Sequence, residues 1–318
     1  MASLIKLRVE SRKLETEKKF CSTDKKYINL EIENKAIMFE EQDIKELIRA
    51  LRDCGGYDFS NYSLKSFMRR VEKVLYDNKM DIYALTNAIK IDRQFLDQVV
   101  KDVTVNTTEF FRDPSAWQAM KYRLLPKLHS QKNINIWHAG CSVGMEVYSM
   151  EIMLCEAGLL DKSTIYATDI NADVLDTAKK GIYSHRNAKE YINNYNKGLC
   201  VNPYNYEERI NIPIQKYMDF NEREDTIKVK PFLLGKTTFK KHNLVSDPNP
   251  FRGVKYDIIL CRNVLIYFNQ TLQNKLFGEF WDMLTDGGTL VLGIHESILG
   301  PWANKYDKKG LLYTKKTQ

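Results

Sequence analysis

Four stretches of this chain carry residue types whose spacing suits ligand binding or chemistry. The first is Ile-Asn-Ile-Trp-His-Ala-Gly-Cys-Ser-Val-Gly-Met-Glu-Val-Tyr-Ser, from Ile134 to Ser149. It holds an alternating run, a small-residue turn between Gly140 and Gly144, and then Val147, Met150, Ile152, Met153 and Leu154 as the apolar side of a helix. A strand, glycine turn and helix lets a backbone pass close to a cofactor, although this is not the G-x-G-x-x-G spacing of a dinucleotide site. The second stretch is a strand-like run ending in Asp169, roughly 25 residues beyond the turn, where an acid suits ribose hydroxyls. With Asn171 so near, Asp169 also reads as a helix cap. The third set, Asn243 and the pair Arg262-Asn263, closes two later apolar runs. The fourth, Asn106-Thr-Thr-Glu-Phe-Phe-Arg112, is polar, aromatic and basic within seven residues.

Other chemistries find no support in the spacing. Six cysteines and five histidines are scattered without a C-x-x-C pair or a metal-ligand pattern, which points to reduced thiols in the cytoplasm and to no metal. No run approaches the ~18 apolar residues of a membrane span, and the N-terminus lacks a signal-peptide core. At 318 residues, 43% hydrophobic and 28% charged, the chain suits two ordinary soluble domains. Its net charge of +7 favours an acidic partner. Nucleic acid is disfavoured as that partner, because the basic residues are not interleaved with aromatics as a stacking platform.

The elements that must position these residues follow from periodicity. Residues 1 to 38 are lysine-rich and polar, with short alternating patches such as Tyr27 to Ile32, and carry no assignable chemistry. Residues 39–104 read as a small all-helical domain. Its second helix, starting near Ser63, presents Leu64, Phe67, Met68, Val71, Val74 and Leu75 on one stripe. Lys65, Arg69 and Lys73 form a second line with Arg70 beside it, either a solvated face or a surface for an acidic partner. A helix over Ser115–Leu128 leads into the glycine-turn strand. Further helices are expected over Ala172–Lys180, capped by Asn171 and Gly181, and over Gln270–Leu284, with a tight turn at Asp286-Gly-Gly. Strands alternating with helices over 105–318 predict an α/β fold with a mostly parallel sheet, whose ligands sit beyond the carboxyl ends of the strands. Gly140, Asp169, Asn243, Arg262 and Asn263 all map to such ends. Residues 184–236 break the pattern and read as an inserted small subdomain with short strands near Tyr217–Phe220 and Thr226–Lys230.

Taken together, these motifs resemble the CheR family of chemotaxis receptor methyltransferases. The resemblance rests on Asn106-Thr-Thr-Glu-Phe-Phe-Arg, Gly140-Cys-Ser-Val-Gly, Glu146 with Tyr148-Ser, Ala167-Thr-Asp-Ile, Asn243-Leu and Tyr256-Asp-Ile-Ile-Leu-Cys-Arg-Asn-Val-Leu-Ile-Tyr-Phe, and covers about residues 41–298. It implies a Rossmann-like class I S-adenosylmethionine methyltransferase domain with a small β subdomain, preceded by the helical domain. It implies that Asn106, Thr108, Arg112, Gly140, Glu146, Asp169, Asn243, Leu244, Arg262 and Asn263 hold S-adenosylmethionine, with Asn243 and Leu244 flanking the adenine. Arg112 and Tyr267 would lie by the reactive methyl group. Lys65, Arg69, Arg70 and Lys73 would face acidic, glutamate-rich receptor helices, and a monomer is expected. Two departures stand out. Gly144-Met-Glu-Val-Tyr-Ser replaces the usual Gly-Glu-Glu-Pro-Tyr-Ser, and Gly293-Ile-His-Glu-Ser replaces Gly-His-Ser-Glu-Ser.

The implied reaction suits these residues. A glutamate acceptor is already ionised at neutral pH, so no strong base is needed, and orientation and water exclusion carry the work. Two rivals keep the cofactor. One methylates another protein or a small molecule, and the other binds the cofactor without catalysis.

Overall fold

Apolar residues at helical spacing, interrupted by caps, fold residues 41–103 into four helices. The computed structural model describes residues 31–32, 35–36, 39–104, 106–205, 207–208 and 210–317. Helices α1 (Glu41–Gly55), α2 (Leu64–Asn78), α3 (Ile82–Ile91) and α4 (Arg93–Val103) follow one another. Asp81 and Asp92 accept backbone N–H bonds from Ala84 and Phe95 and so start α3 and α4. The stripes close on one core that includes Ile44, Leu51, Phe67, Val71, Leu85 and Val99. A two-residue strand pair, β1 (Glu31–Ile32) and β2 (Lys35–Ala36), precedes them. The expectation for residues 1–30 lies outside the described residues.

The α/β part is built on a seven-stranded sheet. Its strands are β3 (Ile134–Ala139), β4 (Ser163–Asp169), β8 (Thr237–Lys241), β9 (Tyr256–Cys261), β10 (Leu284–Leu292), β11 (Tyr306–Lys309) and β12 (Leu312–Lys315), in the order β8-β4-β3-β9-β10-β12-β11. The first five run parallel, and β12 pairs antiparallel with both β10 and β11. Alternation within strands supplies two cores. Ile258 and Leu260 face one side with Ile136 and Ile165, and Ile259 and Cys261 face the other with Trp137 and Phe280. Both faces are covered, as a parallel sheet requires. Helices α5 (Pro114–Ala119), α6 (Met145–Glu156) and α7 (Ala172–Lys180) join the first core, and α9 (Gln270–Met283) joins the second. The inserted segment carries α8 (Ala188–Tyr195) and a small antiparallel sheet of β5 (Ile182–Ser184), β6 (Met218–Asn221) and β7 (Thr226–Val229), in the order β5-β7-β6.

Several sequence expectations need correction. The run Ser115–Leu128 is not one regular helix: α5 ends at Ala119, a wider turn spans Met120–Leu124, and a tighter one spans Leu125–Leu128. Pro126 falls in the last of these and has no N–H to continue an α-helical ladder. Helix α6 is not one-sided, since Tyr148, Ser149 and Glu151 are buried with its apolar residues. The small sheet covers its second face, where Tyr148 meets Tyr183 of β5. Asp286-Gly-Gly is no connecting turn but an irregularity inside β10, whose pairing with β9 shifts between Leu284 and Thr289. The reading of the sequence also missed β5 and β11.

Candidate active site

The carboxyl ends of β8, β4, β3 and β9 open into a cleft. Every residue expected to meet the cofactor or the methyl group lines it: Asn106, Thr108 and Arg112, then Gly140, Glu146 and Asp169, then Asn243, Leu244, Arg262, Asn263 and Tyr267. The helical domain supplies a further wall, through Tyr62, Ser66, Phe67, Val103 and Thr104. Sequence reasoning assigned that domain only an outward role, and nothing in its periodicity showed this inward edge. Gly140 lines the cleft, and packing constrains it and Gly144 as well: a Cβ at Gly140 would lie 2.6 Å from Val264 and one at Gly144 would lie 2.7 Å from the Ala178 side chain. Both positions also hold φ above +80°, so close packing and backbone conformation require these glycines.

Asp169 sits at the end of β4 with both carboxylate oxygens aimed by the backbone. One accepts from Ser142 N at 2.8 Å in the glycine turn, and the other from Asn171 N at 3.0 Å. The helix cap is Asn171, whose side chain accepts from Asp173 N. Asp169 is therefore not the capping group, and each oxygen keeps a lone pair for a ligand hydroxyl. Burial pushes its carboxyl above the ordinary range, against the pull of these N–H donors. Asn243 is folded into its own turn, its Oδ1 accepting from Val245 N at 3.1 Å, beside the half-buried Leu244 and Val245.

Across the cleft, Glu146 stands in the first turn of α6. His138 Nδ1 lies 2.9 Å from its Oε1, and Arg262 Nη1 donates to its Oε2 at 3.0 Å. Burial pushes this carboxyl up, but the His138 and Arg262 contacts outweigh it and hold Glu146 below its ordinary range. The Arg262 side chain is 1% exposed, and its other nitrogen donates to Asp113 Oδ2 at 3.0 Å and to the Arg112 carbonyl at 2.9 Å. Its guanidinium thus joins the glycine-turn helix to the loop that carries Arg112.

That loop is strained. Phe111 and Asp113, on either side of Arg112, both take left-handed backbone conformations, with φ 51° and 56°. For residues other than glycine this costs ~1–2 kcal/mol each. The surroundings hold it in place. Phe110 and Phe111 are fully buried, Phe111 N donates to Ser149 Oγ at 2.9 Å, and the Trp117 indole donates to the Arg112 carbonyl at 2.9 Å. The result is a backbone clamped at its carbonyl with the Arg112 guanidinium turned to the cleft, where among the described residues it makes only a long 3.4 Å contact to the Thr107 carbonyl.

Tyr267 belongs to a second fixed loop. Burial raises its hydroxyl pKa, against the opposing pull of Arg70, Arg112 and Arg69. Its backbone carbonyl accepts from Ser63 N at 2.7 Å, which ties it to the start of α2. The loop is organised by Glu296, a buried residue the sequence reading treated only as part of a packing change. One Glu296 oxygen accepts from Gly293 N and Asn263 N, and the other from Val264 N, Leu265 N and Ile266 N, at 2.7 to 3.3 Å. The retained Glu of Gly293-Ile-His-Glu-Ser was the available signal. On α2, Lys65, Arg69 and Lys73 are exposed, Arg70 is half-buried, and Lys73 is paired with Asp77 at 2.5 Å.

A five-stranded parallel sheet with an antiparallel hairpin at one edge, a glycine turn after its central strand and an acid ending the next define a Rossmann-like class I S-adenosylmethionine-dependent methyltransferase. The chain matches the family described as CheR methyltransferase, SAM binding domain, over residues 106–224 and 201–310, and it belongs to that family. It is 37% identical over 258 residues to a putative methyltransferase, Cher3, of Pseudomonas putida, covering 80% of this chain and 89% of that protein. It is 30% identical to chemotaxis protein methyltransferase 1 of Vibrio cholerae and 28% identical to a chemotaxis protein methyltransferase of Listeria innocua. Those two matches cover 83% and 82% of this chain, and 92% of each relative. Among the described residues no helix is long and apolar enough to cross a membrane.

Proposed function

We propose that this enzyme transfers the methyl group of S-adenosylmethionine to glutamate side chains on the cytoplasmic helices of chemotaxis receptors. The observation that carries the reading is the meeting of Arg112 and Tyr267 at one cleft, which Ser66 and Phe67 of the basic helix α2 also line. The residues that would hold the cofactor lie along the strand ends. Asn243 and Leu244 would hold the adenine and Asp169 the ribose hydroxyls. Glu146 would take the amino-acid tail, with Asn106, Thr108, Arg262 and Asn263 closing the site. S-adenosylmethionine supplies an electrophilic methyl group on a sulfonium.

The chain's own residues supply placement. The forked donors of Arg112 hold the incoming carboxylate, and the Tyr267 hydroxyl gives it one more hydrogen bond. The buried loops that carry both residues exclude water from the acceptor. No residue need remove a proton, because the acceptor arrives ionised. The receptor class is further supported by the chemotaxis methyltransferases among the relatives and by the basic edge of α2, which suits an acidic helix.

The test is transfer of a tritiated methyl group to membranes that carry chemoreceptors, with wild type beside Arg112→Ala. Base-labile label on receptor glutamate is expected from wild type. Arg112→Ala is expected to lose at least tenfold in kcat while keeping its fold. Label that resists base, or label confined to other proteins, overturns the choice of acceptor.

A further inference from the structure

His138 is fully buried near the end of β3, yet it touches the candidate site through one bond. Its Nδ1 lies 2.9 Å from Glu146 Oε1, and its Nε2 has no hydrogen-bond partner among the described residues. A proton on that solitary Nε2 would be a buried N–H without an acceptor, which proteins avoid more strictly than a bare lone pair. A proton on Nδ1 is instead donated to Glu146. The Glu146 oxygens are thus divided, one held by His138 and the other by Arg262. Glu146, with 16% of its side chain exposed, presents its carboxylate to the cleft.

We propose that His138 is a positioning residue for the cationic amino-acid end of the cofactor. It prevents Glu146 from closing onto Arg262 as a two-pronged ion pair, which would turn the carboxylate away and neutralise it within the protein. Held by one oxygen on each side, Glu146 keeps a lone pair on each oxygen for a ligand ammonium. This rests on the placement of the amino-acid tail at Glu146 given above, and it is independent of what the acceptor is.

Calorimetry on the full chain tests it with two ligands. S-adenosylhomocysteine carries the amino-acid tail, while 5′-methylthioadenosine has the nucleoside and thioether without it. His138→Leu is expected to weaken S-adenosylhomocysteine about tenfold, the scale of one charge-assisted hydrogen bond, and to leave methylthioadenosine within about twofold. His138→Asn, which keeps an N–H donor, is expected to restore most of the loss and covers the case in which the leucine variant fails to fold. In a Glu146→Gln background, His138→Leu is expected to have little further effect. Equal weakening of both ligands, or the same loss with and without the Glu146 carboxylate, would show a general packing role and overturn the proposal. A folded wild type that binds methylthioadenosine but gains nothing from the tail would overturn the placement of the tail at Glu146, and the proposal with it. Absence of receptor methylation by wild type, with these affinities as expected, would overturn only the choice of acceptor.

Discussion

At the scale of single residues, the cleft is held by charges that never need to touch a ligand. Glu296 is the clearest case, because its one carboxylate answers five backbone N–H groups and fixes the segment from Asn263 to Ile266. That segment includes a left-handed Asn263, φ 61°, and leads directly into Tyr267. Such a cluster of N–H groups is an anion nest, here filled by the protein itself. Glu296→Gln places an amide NH₂ against some of these donors and removes the charge. The expected cost is on the order of 3 kcal/mol of stability, with faster amide exchange confined to residues near 263–266. Methyl transfer should fall at least tenfold through displacement of Tyr267. Exchange at that segment identical to wild type would remove Glu296 from this role. The sequence displayed Glu296 openly, but a buried acid that binds only backbone has no periodic or motif signature of its own. By contrast, Asp169 was legible because its place at a strand end already predicts its partners.

At the scale of elements, helix α2 faces in two directions. Its apolar stripe was legible from spacing, and so was its basic line. Hidden from periodicity was the way its first turn enters the cleft, with Ser66 and Phe67 as wall and Ser63 bonded to the Tyr267 carbonyl. That contact lies between residues far apart in the chain, and no local pattern encodes it. The four basic residues also divide. Lys73 is already paired with Asp77, whereas Lys65 and Arg69 stand exposed and Arg70 lies half-buried with no hydrogen bond to its Nε among the described residues. Reversing the exposed pair, Lys65→Glu with Arg69→Glu, should raise the KM for receptor about fivefold at low salt while S-adenosylhomocysteine affinity stays put. The difference should shrink at 0.5 M salt, where screening acts within ~4–5 Å. An unchanged KM at low salt would remove the edge of α2 from the docking surface. Lys73→Glu alone should do less, since it disrupts an exposed i,i+4 pair of small worth.

At the scale of the whole molecule, the mostly parallel sheet and its strand-end residues were readable because strands alternating with helices leave few ways to connect the parts. Two strands of the small added sheet were readable as well; its place against α6 was not, because its effect is to bury what a lone helix would expose. Glu151 shows the consequence. On an isolated amphipathic α6 it would point to water, but between the main sheet and the inserted one it is fully buried. The Thr237 hydroxyl donates to its Oε1 at 2.6 Å, while its Oε2 has no partner among the described residues. Burial pushes its pKa up to about 8, from 4.5, against the weaker pull of Thr237 and Lys236. The folded state therefore keeps this proton between about pH 4.5 and 8, where the unfolded chain has lost it. Because the native state binds more protons in that window, stability falls as pH rises through it. The sign is opposite to that of a salt-bridged carboxylate. Glu151→Gln removes the titration while keeping shape and the acceptor for Thr237. Near pH 5 the variant and wild type should unfold at similar temperatures. By pH 8 the variant should be more stable by on the order of 1–3 kcal/mol, a few degrees in Tm for a chain of this size. Melting curves at half-unit steps from pH 5 to 8.5 read the gap directly. A gap that stays constant, or that favours wild type more as pH rises, would mean that Glu151 is ionised in the folded protein and stabilised by a partner on the inserted sheet or the end of β8.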